Sequence, residues 1–218
     1  MKVIAFNGSP RRAQNTATLL TTALEGAASV GAETELIHLY DIQFKGCSSC
    51  FACKTRNGRS YGTCGVKDDL TPHLNKIAEA DAILLGSPIY FASVSGEMKS
   101  FLERLMFPYL VYDKTYSSLF PRTIQTGFIY TMNVTETQMG ERGYLPHLDN
   151  NERFLTRIFG ASERLCSFDT YQTDYTRIVA DGFDAEHKAA RRRDVFPQDC
   201  ENAFQMGVRL AQPTASAA

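Results

Sequence analysis

Short apolar runs alternate with segments of helical period through the first two thirds of the chain. Lys2–Asn7 is an apolar run closed by Gly8 and predicts a buried strand, while Ala17, Leu20, Ala23, Leu24 and Ala27 predict a helix over Thr16–Val30. Thr34–Leu39 predicts a second strand. The stretch from Gly46 to Gly65 has neither period and predicts an irregular excursion. Leu70, Leu74, Ile77 and Ala78 then mark a helix for which Asp68 or Asp69 is the expected cap, and Ala82–Gly86 is a fully apolar third strand. A helix follows over Gly96–Met106 with Met98, Phe101, Leu102 and Leu105 turned inward, and a fourth strand over Thr123–Thr131. Beyond Asn133 the pattern weakens to a helix at Asn151–Phe159, a fifth strand at Glu163–Tyr171 and helices at Ala185–Arg192 and Gln198–Leu210.

Strands alternating with helices at this length predict an α/β, doubly wound, five-stranded parallel sheet in three layers, because each crossover is right-handed and covers one face. Ligands of such sheets sit beyond the carboxyl ends of the strands, where the strand order switches. That selects the loops Gly8–Thr16, Ser87–Ser95 and Thr131–Thr135.

With 218 residues, 44% of them hydrophobic, the chain supports one domain, expected over residues 1–212 with a cysteine-rich excursion at 46–65 and a frayed tail at 213–218. The 23 Lys and Arg balance 24 Asp and Glu, so no bulk field selects nucleic acid or anionic lipid, and a small-molecule partner is expected. No early apolar run resembles a secretion signal and none reaches membrane-spanning length, so the expected location is cytoplasmic. The Arg191-Arg192-Arg193 run reads as a solvated helix end.

The loop Ser9-Pro10-Arg11-Arg12-Ala13-Gln14-Asn15-Thr16 offers neutral donors and the charged Arg11 at a helix N-terminus, the construction of a phosphate cradle. It lacks the G-x-x-x-x-G-K-[ST] and G-x-G-x-x-G patterns of triphosphate and dinucleotide loops. The plain alternative is that Asn15 or Thr16 only caps the helix, with both arginines solvated.

Gly8-Ser9-Pro10-Arg11 with Asn15-Thr16, and then Gly86-Ser87-Pro88-Ile89-Tyr90-Phe91 with Ser95-Gly96, Lys99 and Glu103-Arg104, resemble the NAD(P)H-dependent FMN reductase and iron–sulfur flavoprotein branch of the flavodoxin-like superfamily. The resemblance covers roughly residues 1 to 130. It implies a flavodoxin-like fold and FMN held by Ser9, Arg11, Gln14, Asn15 and Thr16 at the phosphate, and by Pro88, Ile89, Tyr90, Phe91, Ser93, Thr131 and Met132 around the ring. Tyr90 and Phe91 have an alternative as core filling, Gly96 is expected to permit close backbone approach, and Lys99 and Arg104 read as solvated. Family members show Asp where this chain has Glu103, a change expected to affect a helix-surface or interface pair. No catalytic side chain is expected, since the flavin N5 carries the chemistry. His38, His73, His147 and His187 lie in unrelated contexts.

Cys47, Cys50, Cys53 and Cys64 crowd one stretch, apart from Cys166 and Cys200. Three cysteines at x2 spacing can wrap a cubane cluster whose fourth ligand returns from further on, and in the resembled iron–sulfur flavoproteins such a run binds [4Fe–4S]. Zinc, a redox disulfide and reduced structural thiols stay open beside it. Lys54, Arg56 and Arg59 offer charge to offset thiolates, or are simply exposed. The resemblance further implies NAD(P)H as transient co-substrate, a quinone, flavin or similar acceptor, or a redox protein, and a homodimer or homotetramer. The alternative function is an electron carrier without nicotinamide turnover.

Overall fold

Val3 and Ala5 face one side of the first strand and Ile4 and Phe6 the other, and all four are buried. A strand covered on both faces has no polar alternation, which is why it reads as one apolar run. The computed structural model describes residues 1–212; the tail expected at 213–218 lies outside them. In chain order the elements are β1 (Lys2–Asn7), α1 (Asn15–Ser29), β2 (Glu33–His38), α2 (Thr71–Ile77), β3 (Ala82–Tyr90), β4 (Ser93–Val94) and α3 (Gly96–Met106). These are followed by β5 (Ile124–Thr131), α4 (Glu136–Glu141), α5 (Leu145–Phe159), β6 (Gly160–Ser167), α6 (Ala185–Asp194) and α7 (Phe196–Leu210).

Five parallel strands pair in the order β2-β1-β3-β5-β6, and β4 folds back antiparallel on the end of β3. With that hairpin strand set aside, the order is the flavodoxin-like 2-1-3-4-5, whose switch point lies between β1 and β3. Helices α1 and α7 cover one face through Leu20, Leu24, Met206 and Leu210 packed on Ala5, Leu84 and Ile129. The other face carries Phe6, Leu85 and Phe128 under Phe101 and Leu105 of α3 and Leu155 and Phe159 of α5. The result is the expected three-layer α/β/α sandwich. Where α1 meets α7 the backbones nearly touch: a Cβ on Gly207 would lie 1.7 Å from the Ala23 carbonyl oxygen.

Several boundaries differ from the sequence pattern for identifiable reasons. β3 continues past Gly86 to Tyr90, with Pro88 opposite Thr131. Pairing between β1 and β3 ends at Asn7 and Gly86, so the missing Pro88 amide costs no ladder bond on that side. The hairpin to β4 turns on Phe91 (φ 49°) and Ala92 (φ 66°), residues with none of the Gly or Asn signal that marks such turns. Helix α5 starts at Leu145, with Pro146 in its first turn, and ends at Phe159 as expected, while β6 runs ahead of the expected Glu163–Tyr171 because it pairs with the whole of β5, from Gly160 opposite Ile124 to Ser167 opposite Thr131. α4 opens on a capping box between Thr135 and Gln138. Asp68 accepts the Leu70 amide ahead of α2, but the helix N-cap is Leu70, with no side-chain cap.

Candidate active site

A cleft of about 470 Å³ opens at the carboxyl ends of β1, β3 and β5, lined by Ser9, Arg11, Gln14, Asn15, Thr16, Pro88, Ile89, Tyr90, Thr131, Met132, Asn133, Thr170 and Gln172. The three loops selected by topology thus meet at one place. Arg11 is the one charged side chain in that lining, since Arg12 pairs with Asp41 instead. Helix α1 enters the cleft with no side-chain cap and no acidic residue in its first turn, and its first intrahelical bond is Thr18 N–H to the Gln14 carbonyl. The amides ahead of it lack helical acceptors, and with the helix dipole they favour an anion. A positive, donor-rich lining of this kind fits a phosphate ester.

The loops are held rather than free. Asn7 Oδ1 accepts the Ser9 amide at 2.9 Å, and Ser9 Oγ accepts the Arg11 amide at 3.2 Å. Thr16 Oγ1 and Thr131 Oγ1, both buried, share a hydrogen bond of 2.8 Å that ties the start of α1 to the end of β5. Ser95 caps α3 by accepting the Met98 amide and donates to the Gly8 carbonyl at 2.6 Å, so the hairpin is locked to the first loop. A Cβ on Gly96 would meet no protein atom within 4 Å, so no neighbouring strand approaches closely there.

Residues from the last third of the chain complete the wall, and no local pattern announced them. Thr170 bonds the Met132 carbonyl through both its amide and its hydroxyl, and Arg11 Nη1 donates to the Gln172 carbonyl at 2.5 Å. Asn15 is not simply a ligand donor: its Nδ2 gives a hydrogen bond to the Tyr171 carbonyl and its Oδ1 accepts one from Arg192, each at 2.8 Å. The basic run is correspondingly not a solvated helix end. Arg192 stacks 3.9 Å above Phe196, Arg191 pairs with Asp199 at 2.6 Å, and only Arg193 is largely exposed. Buried Lys188 pairs with Asp169 and donates to the Asn133 carbonyl at 2.9 Å, bracing the β5 loop from behind.

Of the ring-contact candidates, Pro88, Ile89, Tyr90, Thr131 and Met132 line the cleft, and Phe91 and Ser93 do not. Ser93 pairs with Tyr90 in the hairpin, and Phe91 stands fully exposed at its tip, so the Phe91 ring is not core filling. Tyr90 is 42% exposed at the cleft edge.

The four clustered cysteines line a second, small cavity, together with Ser48, Phe51, Gly65, Glu103, Arg104 and Phe107. Left-handed residues at Ser49 and Phe51, both at φ 57°, curl the loop, which buries Cys53, half-buries Cys47 and leaves Cys50 exposed. All six cysteines are free thiols, and no group of three or more His, Cys, Asp or Glu side chains among the described residues is set to hold a single metal ion. Burial raises the Cys53 thiol above its ordinary pKa, and Lys54 opposes the shift. Lys54 itself is spent on the carbonyls of Phe107, Pro108 and Leu110, pinning the loop to the end of α3, while Arg56 and Arg59 are exposed. Glu103 accepts the Cys47 amide at 3.2 Å and lies 4.0 Å from Lys99, as a helix-surface pair should. Arg104, far from being solvated, is buried.

The chain covers 98% of an NAD(P)H:quinone oxidoreductase from Methanothermobacter marburgensis, itself matched over 98% of its own length with a TM-score of 0.71 at 15% identity, a likeness of fold. It is 43% identical over 104 residues to an iron–sulfur flavoprotein of Methanocaldococcus jannaschii, covering 48% of this chain and 51% of the relative. A second iron–sulfur flavoprotein, from Archaeoglobus fulgidus, is 42% identical over 104 residues, covering 48% of each chain. The match therefore spans about half the length of these relatives. The family model for NADPH-dependent FMN reductases matches residues 1–120, more than half of the chain and the whole of the first-loop, hairpin and cysteine constellation just described, and the chain belongs to that family.

Proposed function

We propose that this protein is an FMN-dependent oxidoreductase that takes a hydride from NADH or NADPH and passes the electrons to a quinone, a free flavin or a similar small acceptor. The observation that carries this reading is the cleft at the β1/β3 switch point, with an uncapped helix N-terminus, a single cationic side chain and an open edge at Tyr90. Ser9, Arg11, Gln14, Thr16 and the first amides of α1 would hold the FMN phosphate, with Asn15 positioning that loop. Pro88, Ile89, Tyr90, Thr131, Met132 and Asn133 would flank the ring, and Thr170 and Gln172 would shield it from the far side. FMN supplies the hydride-accepting centre when bound, and the protein orients it, tunes it and controls access. With no dinucleotide fingerprint in the chain, nicotinamide would be held mainly against the open side of the cleft.

A second reading, favoured by four cysteines sharing one cavity, adds an iron–sulfur cluster on Cys47, Cys50, Cys53 and Cys64 and makes the protein a relay between flavin and a redox partner. A homodimer or homotetramer suits either reading.

The test is anaerobic stopped-flow absorbance of FMN-loaded protein mixed with NADH or NADPH. Bleaching near 450 nm, reversed on adding a quinone, is the expected result. Bleaching by dithionite but by neither nicotinamide refutes the reductase and favours the carrier. Ser9→Ala combined with Thr16→Ala removes two neutral donors to a charged group, each worth about 1.5–3 kcal/mol, so FMN affinity should fall at least tenfold; unchanged affinity would displace the phosphate from this loop.

A further inference from the structure

Arg104 is the largest side chain fully buried in the protein, and it lies outside the machinery proposed for the flavin. Its guanidinium can only donate. Every donor atom has an acceptor: Nε to Cys64 Sγ at 2.9 Å, Nη1 to the Lys45 carbonyl at 3.0 Å and Asp68 Oδ2 at 2.8 Å, and Nη2 to Asp68 Oδ1 at 3.1 Å and the Val66 carbonyl at 3.5 Å. One helix side chain therefore clasps both ends of the cysteine-rich excursion, Lys45 before it and Val66 and Asp68 after it. Cys64, separated from Cys53 by a ten-residue interval, is the cysteine whose position most needs an external constraint. Among the described residues, the only side-chain hydrogen bond to its sulfur comes from Arg104.

We propose that Arg104 is the positioning residue of the cysteine cavity, setting Cys64 Sγ for ligation and, through the N–H···S bond, raising the reduction potential of the iron–sulfur cluster held there. This rests on the cluster reading above. A hydrogen bond to a ligating thiolate withdraws electron density from the sulfur, and a fixed positive charge beside it favours the more negative, reduced cluster. Asp68 keeps the guanidinium in the plane that aims Nε at the sulfur and offsets part of its charge. Lysine cannot reproduce the arrangement, because a point charge on a flexible stem lacks the planar fork.

The experiment uses the full chain, loaded anaerobically with FMN, iron and sulfide, and measures iron and acid-labile sulfide per chain, melting temperature, and the cluster midpoint by EPR-monitored dithionite titration. Arg104→Lys and Arg104→Gln are expected to shift the reduction equilibrium about tenfold toward the oxidised cluster, which for one electron is about 59 mV more negative. Asp68→Asn, which keeps the guanidinium but loosens its aim, should move the midpoint in the same direction by less. A lower melting temperature with an unmoved midpoint in loaded Asp68→Asn and in either Arg104 variant would reduce Arg104 to a structural clasp and overturn the proposal. Wild-type protein that retains no iron and sulfide would instead overturn the cluster reading, and this proposal with it.

Discussion

Asp68→Asn also tests the folding energetics of the cysteine-free-of-metal protein, where no cluster contributes. The Arg104 side chain is 1% exposed and that of Asp68 20% exposed, joined by two parallel bonds of 2.8 and 3.1 Å. Removing one member of a buried pair leaves the other charge uncompensated, at a cost of about 3–5 kcal/mol. The partial exposure of Asp68 argues for the lower end, about 3 kcal/mol. For a domain of this size each kcal/mol shifts the melting temperature by about 2–4 °C, so the variant should melt about 6–12 °C below wild type. The hydrogen bonds from Arg104 hold the Asp68 carboxyl below its ordinary pKa, so its stabilisation is complete above the unfolded value, about 3.9, and is lost as pH falls through the lower folded value. The gap between wild type and variant should therefore be full and flat from pH 5 to 8 and close only under strong acid. Circular dichroism melts across that range measure it. A gap under about 2 °C at pH 7, or one that closes near neutrality, would refute the assignment of the pair as a clasp.

Two further outcomes follow from local geometry. Ala92 sits at φ 66° in the β3–β4 turn, and left-handed backbone costs an L-residue roughly 1–2 kcal/mol, so Ala92→Gly should raise stability by up to about 1 kcal/mol in urea unfolding; a loss would show that the Ala92 methyl group makes compensating contacts. Burial pushes the Cys166 thiol up to about 11, so it should react with a thiol-exchange reagent at pH 8 far more slowly than exposed Cys50, as mass mapping of Cys166→Ser and Cys50→Ser variants would show; equal rates would contradict its burial.

The fold was legible wherever burial is two-sided or the helix face is continuous. β1 and α3 match the apolar pattern residue for residue, because each has an unbroken set of core contacts. β6 is an edge strand whose sequence, Gly160–Ser167, has no apolar run, and its position is set by its pairing with β5 rather than by a pattern in its own residues. Two boundary signals were present and unread, Pro146 in the first turn of α5 and the Thr135/Gln138 capping box. The first-loop residues were legible because a phosphate cradle needs particular donors at a helix start. Thr170, Gln172 and Arg192 carry no such pattern: Thr170 acts through Met132, 38 residues back, and Gln172 and Arg192 through Arg11 and Asn15, more than a hundred residues back, which local spacing does not encode. Arg104 misled for a related reason, since its acceptors lie 36 to 59 residues back along the chain, at Lys45, Cys64, Val66 and Asp68.

The far wall of the cleft, built from the β5 loop, Thr170–Gln172 and the bracing side chains of α6, lies entirely after residue 120, where the family match stops. Floor and wall thus have separate origins along the chain. The two are nonetheless tied together, since Thr16 bonds Thr131, Asn15 bonds the Tyr171 carbonyl and Arg192, and Arg11 bonds the Gln172 carbonyl, so a change in the carboxyl-terminal third reaches the first loop as well as the mouth of the cleft.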